Sequence, residues 1–176
     1  MGTILDTSLF YVRDVAHLER VLSTNPAYLR STADGDVTQY RDWGIPLGRR
    51  FRALKLWFHL RLDGPDAIRA RIRRDLDNAQ WFKQQIEAMP EWSVLAPVGL
   101  QTVCIRHTPV IDGAALTGEA LDKHTLSWVD QINSSGEAFM SPSLLDGHWM
   151  VRVSIGVEST ERVHLERLLR LFQKVV

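Results

Sequence analysis

The chain has 176 residues, 45% of them hydrophobic and 24% charged, and its 21 basic side chains are balanced by 21 acidic ones. A net charge of zero argues against a nucleic-acid binder driven by bulk charge, and no apolar stretch approaches the ~20 residues of a membrane-spanning helix. The single cysteine, Cys104, excludes an intrachain disulfide and fits a reducing, cytoplasmic setting. Residues 1–10 lack the basic and long apolar regions of a secretory signal.

Residues 7–12 are apolar and β-leaning (Leu9, Phe10, Tyr11, Val12) and predict a short strand; 15–22 suit a helical turn or two. Asn, Pro, Ser, Thr, Asp and Gly crowd 23–38, the composition of an exposed mobile loop. Residues 51–62 are apolar nearly all round, which predicts a buried helix, and Asp63-Gly64-Pro65 breaks it. Over 65–89, Ile68, Ile72, Leu76, Ala79, Phe82, Ile86 and Met89 recur at three and four, so one long amphipathic helix is expected. Arg69, Arg71, Arg73 and Arg74 fall on its opposite, solvated face. Strands at 92–97 and 101–107, a linker, a helix at 120–133, strands at 138–141 and 148–156 and a helix at 159–175 complete the chain. Interleaved helices and strands imply an α/β domain with an antiparallel or mixed sheet.

The run Gln39-Tyr40-Arg41-Asp42-Trp43-Gly44-Ile45-Pro46-Leu47-Gly48-Arg49-Arg50-Phe51-Arg52-Ala53-Leu54-Lys55-Leu56-Trp57 is the most specific motif. A Gly/Pro-punctuated turn leads into a helix, with three arginines expected in its first turn, where they oppose the helix dipole. This run resembles the one in pyridoxal-phosphate-dependent (group II) aromatic-L-amino-acid decarboxylases. Asn25-Pro26-Ala27-Tyr28-Leu29 resembles the start of that family's mobile catalytic loop. Gln101 to Arg106, Asp130 to Ser134 and Met150 to Ile155 resemble its C-terminal segments.

The resemblance implies the C-terminal part of a type-I pyridoxal-phosphate-dependent transferase fold, of aspartate-aminotransferase type. Residues 1–56 would be the tail of the large cofactor-binding domain, with the catalytic loop at 23–38, and 57–176 the small α/β domain. It further implies decarboxylation of an aromatic L-amino acid to an amine, with pyridoxal phosphate as cofactor. The partner would be a second copy in a homodimer, or the missing N-terminal portion of the enzyme; neither nucleic acid nor membrane is expected. Tyr28 would act as the catalytic acid that protonates the substrate α-carbon after carbon dioxide leaves, and relatives with Phe there make aldehydes. A phenol is protonated at neutral pH and suits that task. The bland alternative is a loop tyrosine without catalytic duty.

Leu47 and Gly48 would line the substrate side-chain pocket across the dimer interface, histidine-specific relatives carrying serine at the glycine. Gly48 alternatively serves only the turn. The family's cofactor lysine falls upstream of this sequence. Lys55, Lys83, Lys123 and Lys174 do not occupy the required strand-end setting, so no cofactor-binding residue is assigned and the chain alone is expected to be inactive. A stand-alone dimerisation or binding module is the alternative function.

Arg41, Arg49, Arg50 and Arg52 suit either a phosphate or, preferably, pairing with carboxylates such as Asp42. The six histidines lack metal-ligand spacing in sequence, so no metal is expected; His59 reads as a core histidine and Cys104 as a small core residue.

Overall fold

The computed structural model describes residues 6–24, 26–29, 32, 34–48 and 50–176. It forms two compact units, one reaching to Leu62 and one running from Asp63 to Val176.

In the first unit, residues 6–14 form no strand. The expected strand at 7–12 has β-leaning side chains, but a strand exists only against a neighbour, and the described residues offer it none. Helix α1 (Val15–Leu22) begins where Asp14 accepts the His17 backbone N–H at 2.9 Å. Short 3₁₀ turns follow at Ala27–Leu29 and Tyr40–Trp43, and α2 spans Ala53–Leu62. Arg50 and Arg52 therefore precede α2 and do not fill its first turn. The buried helix expected at 51–62 is also corrected. None of the described residues to Leu62 is buried, and Phe51, Trp57, Phe58 and Leu62 are exposed. A helix apolar on every side needs structure on every side, and this unit supplies no such layers. His59 is accordingly half-buried, not a core residue.

The second unit is a two-layer α/β sandwich. Helix α3 (Gly64–Ala88) starts with Gly64 at φ 79° and Pro65 in its first turn, and Met89 caps it. Strands β1 (Trp92–Val94), β2 (Thr102–His107), β5 (Ser141–Leu145) and β6 (His148–Ser154) make an antiparallel sheet in the order β1-β2-β6-β5. A two-stranded hairpin, β3 (Val110–Ile111) and β4 (Ala114–Ala115), precedes α4 (Gly118–Ser134), and α5 (Arg162–Val175) closes the chain. The strand expected at 138–141 lies instead at Ser141–Leu145, and the expected linker contains the β3–β4 hairpin.

Alternation along β2 buries Val103, Ile105 and His107. With Val151 and Val153 of β6 they face Phe82 and Ile86 of α3, Trp128 and Ile132 of α4, and Leu168 and Phe172 of α5. Cys104 is on the other face with Thr102 and Arg106, half-buried and outside the core. Phe172 stacks on Trp92 at 4.8 Å and meets Trp128 and Phe82 edge-on. Asn133 donates to the Met140 carbonyl at 3.0 Å and accepts its N–H at 2.8 Å, which fixes the path from α4 to β5.

The polar side of α3 is not uniformly solvated. Arg71 is only 11% exposed and reaches Glu158 at 3.0 Å, while Arg74 donates to the Glu158 carbonyl at 2.9 Å and to the buried Asp75. Arg162 donates to Asn78 at 2.9 Å and lies 4.3 Å above the Trp81 ring. The segment entering α5 thus covers much of the face that amphipathicity alone assigns to water.

Candidate functional site

Tyr28 lies in the 3₁₀ turn Ala27–Leu29 and is 78% exposed. The turn closes through Leu29 N–H to the Pro26 carbonyl at 3.0 Å. Arg41 donates to the Leu29 carbonyl at 2.7 Å, which ties the turn to the second 3₁₀ segment. That segment is held to α1 by Trp43 Nε1 donating to Glu19 at 3.0 Å and by Ser23 donating to Asp42 at 2.8 Å. Between them lies a cavity of about 620 Å³ bordered by Glu19, Asp34, Arg41, Asp42 and Trp43. The local frame around Tyr28 is built by polar contacts, and its phenol projects from it.

Leu47 and Gly48 lie on the exposed turn before α2. A Cβ on Gly48 would meet nothing within 4 Å, and its backbone is outside the left-handed region, so neither crowding nor φ demands glycine in this unit. Gly48 borders an open cavity of about 410 Å³ with Pro46, Arg50 and Arg52. Tyr28 is not among the described residues that line that cavity.

The basic cluster pairs with carboxylates, as expected for Arg41 and Arg52. Arg41 lies 3.3 Å from Asp34 and 3.7 Å from Asp42. Arg52 donates to Asp6 at 3.0 Å, and this bond holds the Asp6 carboxyl below the usual carboxylate range. Arg49 lies outside the described residues.

Pyridoxal phosphate requires a lysine for its aldehyde and donors for its phosphate. All four lysines here are on helices beside carboxylates: Lys55 3.9 Å from Asp6, Lys83 3.7 Å from Glu87, Lys123 2.7 Å from Glu119, and Lys174 acting on Glu137. The described residues by themselves do not fit the cofactor. Among them, no group of three or more His, Cys, Asp or Glu is placed to hold a metal ion, and no helix is long and apolar enough to cross a membrane.

One titratable cluster escapes the sequence reading. His107 and His124, 17 positions apart, meet Nδ1 to Nε2 at 2.9 Å. Glu91 lies 3.4 Å from the far side of His107. Burial lowers both histidine pKa values from the ordinary one; the second largest effect on His107 is His124 itself. Only the pairing of β1 with β2 and the packing of α4 bring these residues together, so no local spacing could reveal them.

The family model for the pyridoxal-dependent decarboxylase conserved domain matches residues 1–108. The chain belongs to this family. Its similarity extends beyond the matched region. The phenylacetaldehyde synthase of Arabidopsis thaliana is 37% identical over 98% of this chain and 35% of its own length. Tryptophan decarboxylase 2 of Oryza sativa subsp. japonica is 36% identical over 97% of this chain and 34% of its own. The crystal structure of Oryza sativa TDC with PLP and tryptamine superposes with a TM-score of 0.84 at 31% identity, covering 93% of this chain and 34% of that one. The apo crystal structure of mouse CSAD, at 14% identity and a TM-score of 0.75, shares the fold. The chain thus spans about a third of the length of the relatives it matches. Its fold is the C-terminal portion of the type-I, aminotransferase-like architecture, and the family is pyridoxal-phosphate-dependent.

Proposed function

We propose that this chain is the C-terminal portion of a decarboxylase that converts an aromatic L-amino acid to its amine and carbon dioxide, with pyridoxal phosphate as the cofactor. The observation that carries this reading is the end-to-end match, 97–98% of the chain, to plant tryptophan decarboxylase and phenylacetaldehyde synthase. Residues to 56 would finish the large domain and those from 57 the small one. The cofactor lysine comes from the portion of the enzyme outside this sequence, so the chain alone carries no activity.

In the whole enzyme Tyr28 Oη holds the proton delivered to the substrate α-carbon once carbon dioxide has left. Its exposure here suits a side chain that works in the neighbouring subunit of a homodimer. Leu47 and Gly48 rim the side-chain pocket, where the open space at Gly48 leaves room for a flat ring. A stand-alone binding or dimerisation module is the second reading, favoured by the closed core of the unit from Asp63. Product analysis of a complete enzyme carrying this segment tests the first. Tyr28→Phe keeps the ring but removes its acidic hydrogen, so substrate binding should survive while amine release falls about 10²–10⁴-fold. Under air the product should shift from amine to aldehyde, ammonia and peroxide; an unchanged amine rate would refute the role.

A further inference from the structure

Glu91 is one of three described non-glycine residues with positive φ, at 66°. A left-handed conformation is disfavoured for any residue with a Cβ, so the surroundings must hold it there. Its carbonyl accepts the Thr108 N–H at 2.7 Å and its Oε1 accepts the Val110 N–H at 2.9 Å. Oε2 faces His107 Nε2 at 3.4 Å, and His107 Nδ1 faces His124 Nε2 at 2.9 Å. The direction of this chain follows from elementary chemistry. A carboxylate only accepts, so His107 carries its proton on Nε2; its Nδ1 must then accept, and His124 must donate from Nε2. His107 is 6% exposed and packs against Trp92 at 4.9 Å between ring centroids.

We propose that His124, His107 and Glu91 form a proton-controlled latch that holds the β3–β4 hairpin to the turn before β1 at neutral pH and releases it in acid. His124 can take a proton on Nδ1 without disturbing the chain of bonds. His107 cannot: a proton on its Nδ1 sets two N–H groups face to face at 2.9 Å. The rings must then separate, and Glu91, which follows His107, loosens its grip on Val110. The exposed Val110 and Ile111 move with the hairpin.

Several other charges on the surrounding elements are engaged elsewhere. Lys123 pairs with Glu119 at 2.7 Å, and Asp122 accepts the Trp149 N–H at 2.9 Å beside His148 at 3.9 Å. Arg106 donates to the Trp149 carbonyl at 3.2 Å, and Lys174 acts on Glu137. Arg152 is exposed on β6, and Asp112 is in the hairpin turn. From the end of α5, Gln173 and Val176 border the cavity of about 360 Å³ that Glu91 and His107 line.

Amide hydrogen exchange on the full chain tests the latch, with long-range ¹H–¹⁵N spectra of the histidines. At about pH 7.5 both rings should be neutral with the proton on Nε2. After correction for intrinsic exchange, Val110 protection should fall at least about tenfold by pH 5, relative to the core amide of Ile105. In His124→Gln the amide can present either nitrogen or oxygen to His107, so the bond survives both charge states and the pH-dependent loss should disappear. Three results would overturn the latch: His107 carrying its proton on Nδ1 at neutral pH, Val110 protection independent of pH, or an equal loss in His124→Gln. The first two are read on the unmodified protein, so they decide the matter even if the variant folds poorly.

Discussion

Replacing Phe172 with alanine removes the ring on which three other aromatic side chains converge. Phe172 is fully buried, stacked on Trp92 with planes 13° apart and edge-on to Trp128 at 5.5 Å and Phe82 at 6.2 Å. Core Phe→Ala substitutions cost about 3–5 kcal/mol through lost transfer energy and the cavity left behind. Aromatic pairs add about 0.5–1.5 kcal/mol each beyond their area, so three partners place this site near the top of that range, at about 5 kcal/mol. Its neighbours belong to α3, β1 and α4, whose backbones cannot all close in on one vacancy. With an m-value of about 2 kcal/mol/M, the urea midpoint of the full chain, followed by tryptophan fluorescence and circular dichroism, should drop by about 2.5 M. Phe139→Ala is the control, because Phe139 is 82% exposed and its loss should change stability by no more than about 0.5 kcal/mol. A loss below about 2 kcal/mol for Phe172→Ala, or one matching Phe139→Ala, would refute the assignment of Phe172 as the hub of the core.

Stability should also depend on acid in two separate windows. Because burial holds His107 and His124 below their ordinary pKa, folded and unfolded chains are both neutral there above pH about 6.5. As the pH falls below that value the unfolded chain takes up protons first, so stability declines, by at most about 2.7 kcal/mol per pH unit for two protons. Urea midpoints between pH 8 and 5 check this, and a flat profile would contradict it. Asp6 and Glu137, depressed by Arg52 and Arg167, act in the same direction in a more acidic window: their contribution is present above the unfolded carboxylate pKa and is lost as pH falls through the folded one. Asn133→Ala should cost about 2 kcal/mol in the same assay, since it orphans both backbone groups of the buried Met140. Gly48→Ser should leave the midpoint unchanged within about 0.5 kcal/mol, as its Cβ meets open space. In the complete enzyme the same change should raise KM for bulky aromatic substrates, and an unaltered substrate profile would remove Gly48 from the pocket.

Helical periodicity was the most legible signal. Helix α1 has the expected bounds, α3 differs by one residue at either end, and α4 and α5 differ by up to three. Such agreement reflects a pattern carried by each helix on its own surface. The strand at 7–12 and the burial of the helix at 51–62, though not that helix itself, failed for the opposite reason, because strand-forming or all-round apolar character states a need for partners without supplying them. The displacement of β5 was avoidable. Asp146-Gly147, with φ values of 51° and 81°, is the two-residue turn that sets Ser141–Leu145 immediately before β6. Asp112-Gly113 marks the β3–β4 hairpin in the same way. The burial of Arg71 required knowledge of Glu158, 87 residues away. Tyr28, Leu47 and Gly48 came from motif resemblance, since nothing in their local chemistry singles them out.

The four-stranded sheet has two outer strands, and each discourages further growth. Strand β1 offers only three residues, too little backbone for an incoming chain to grip. Strand β5 carries Pro142, which has no N–H to offer another strand. Lateral recruitment of extended polypeptide, the usual beginning of cross-β deposits, therefore finds no long template on the Asp63–Val176 unit. A misfolding liability in this chain would have to arise before Asp63, where aromatic and aliphatic side chains stand in water.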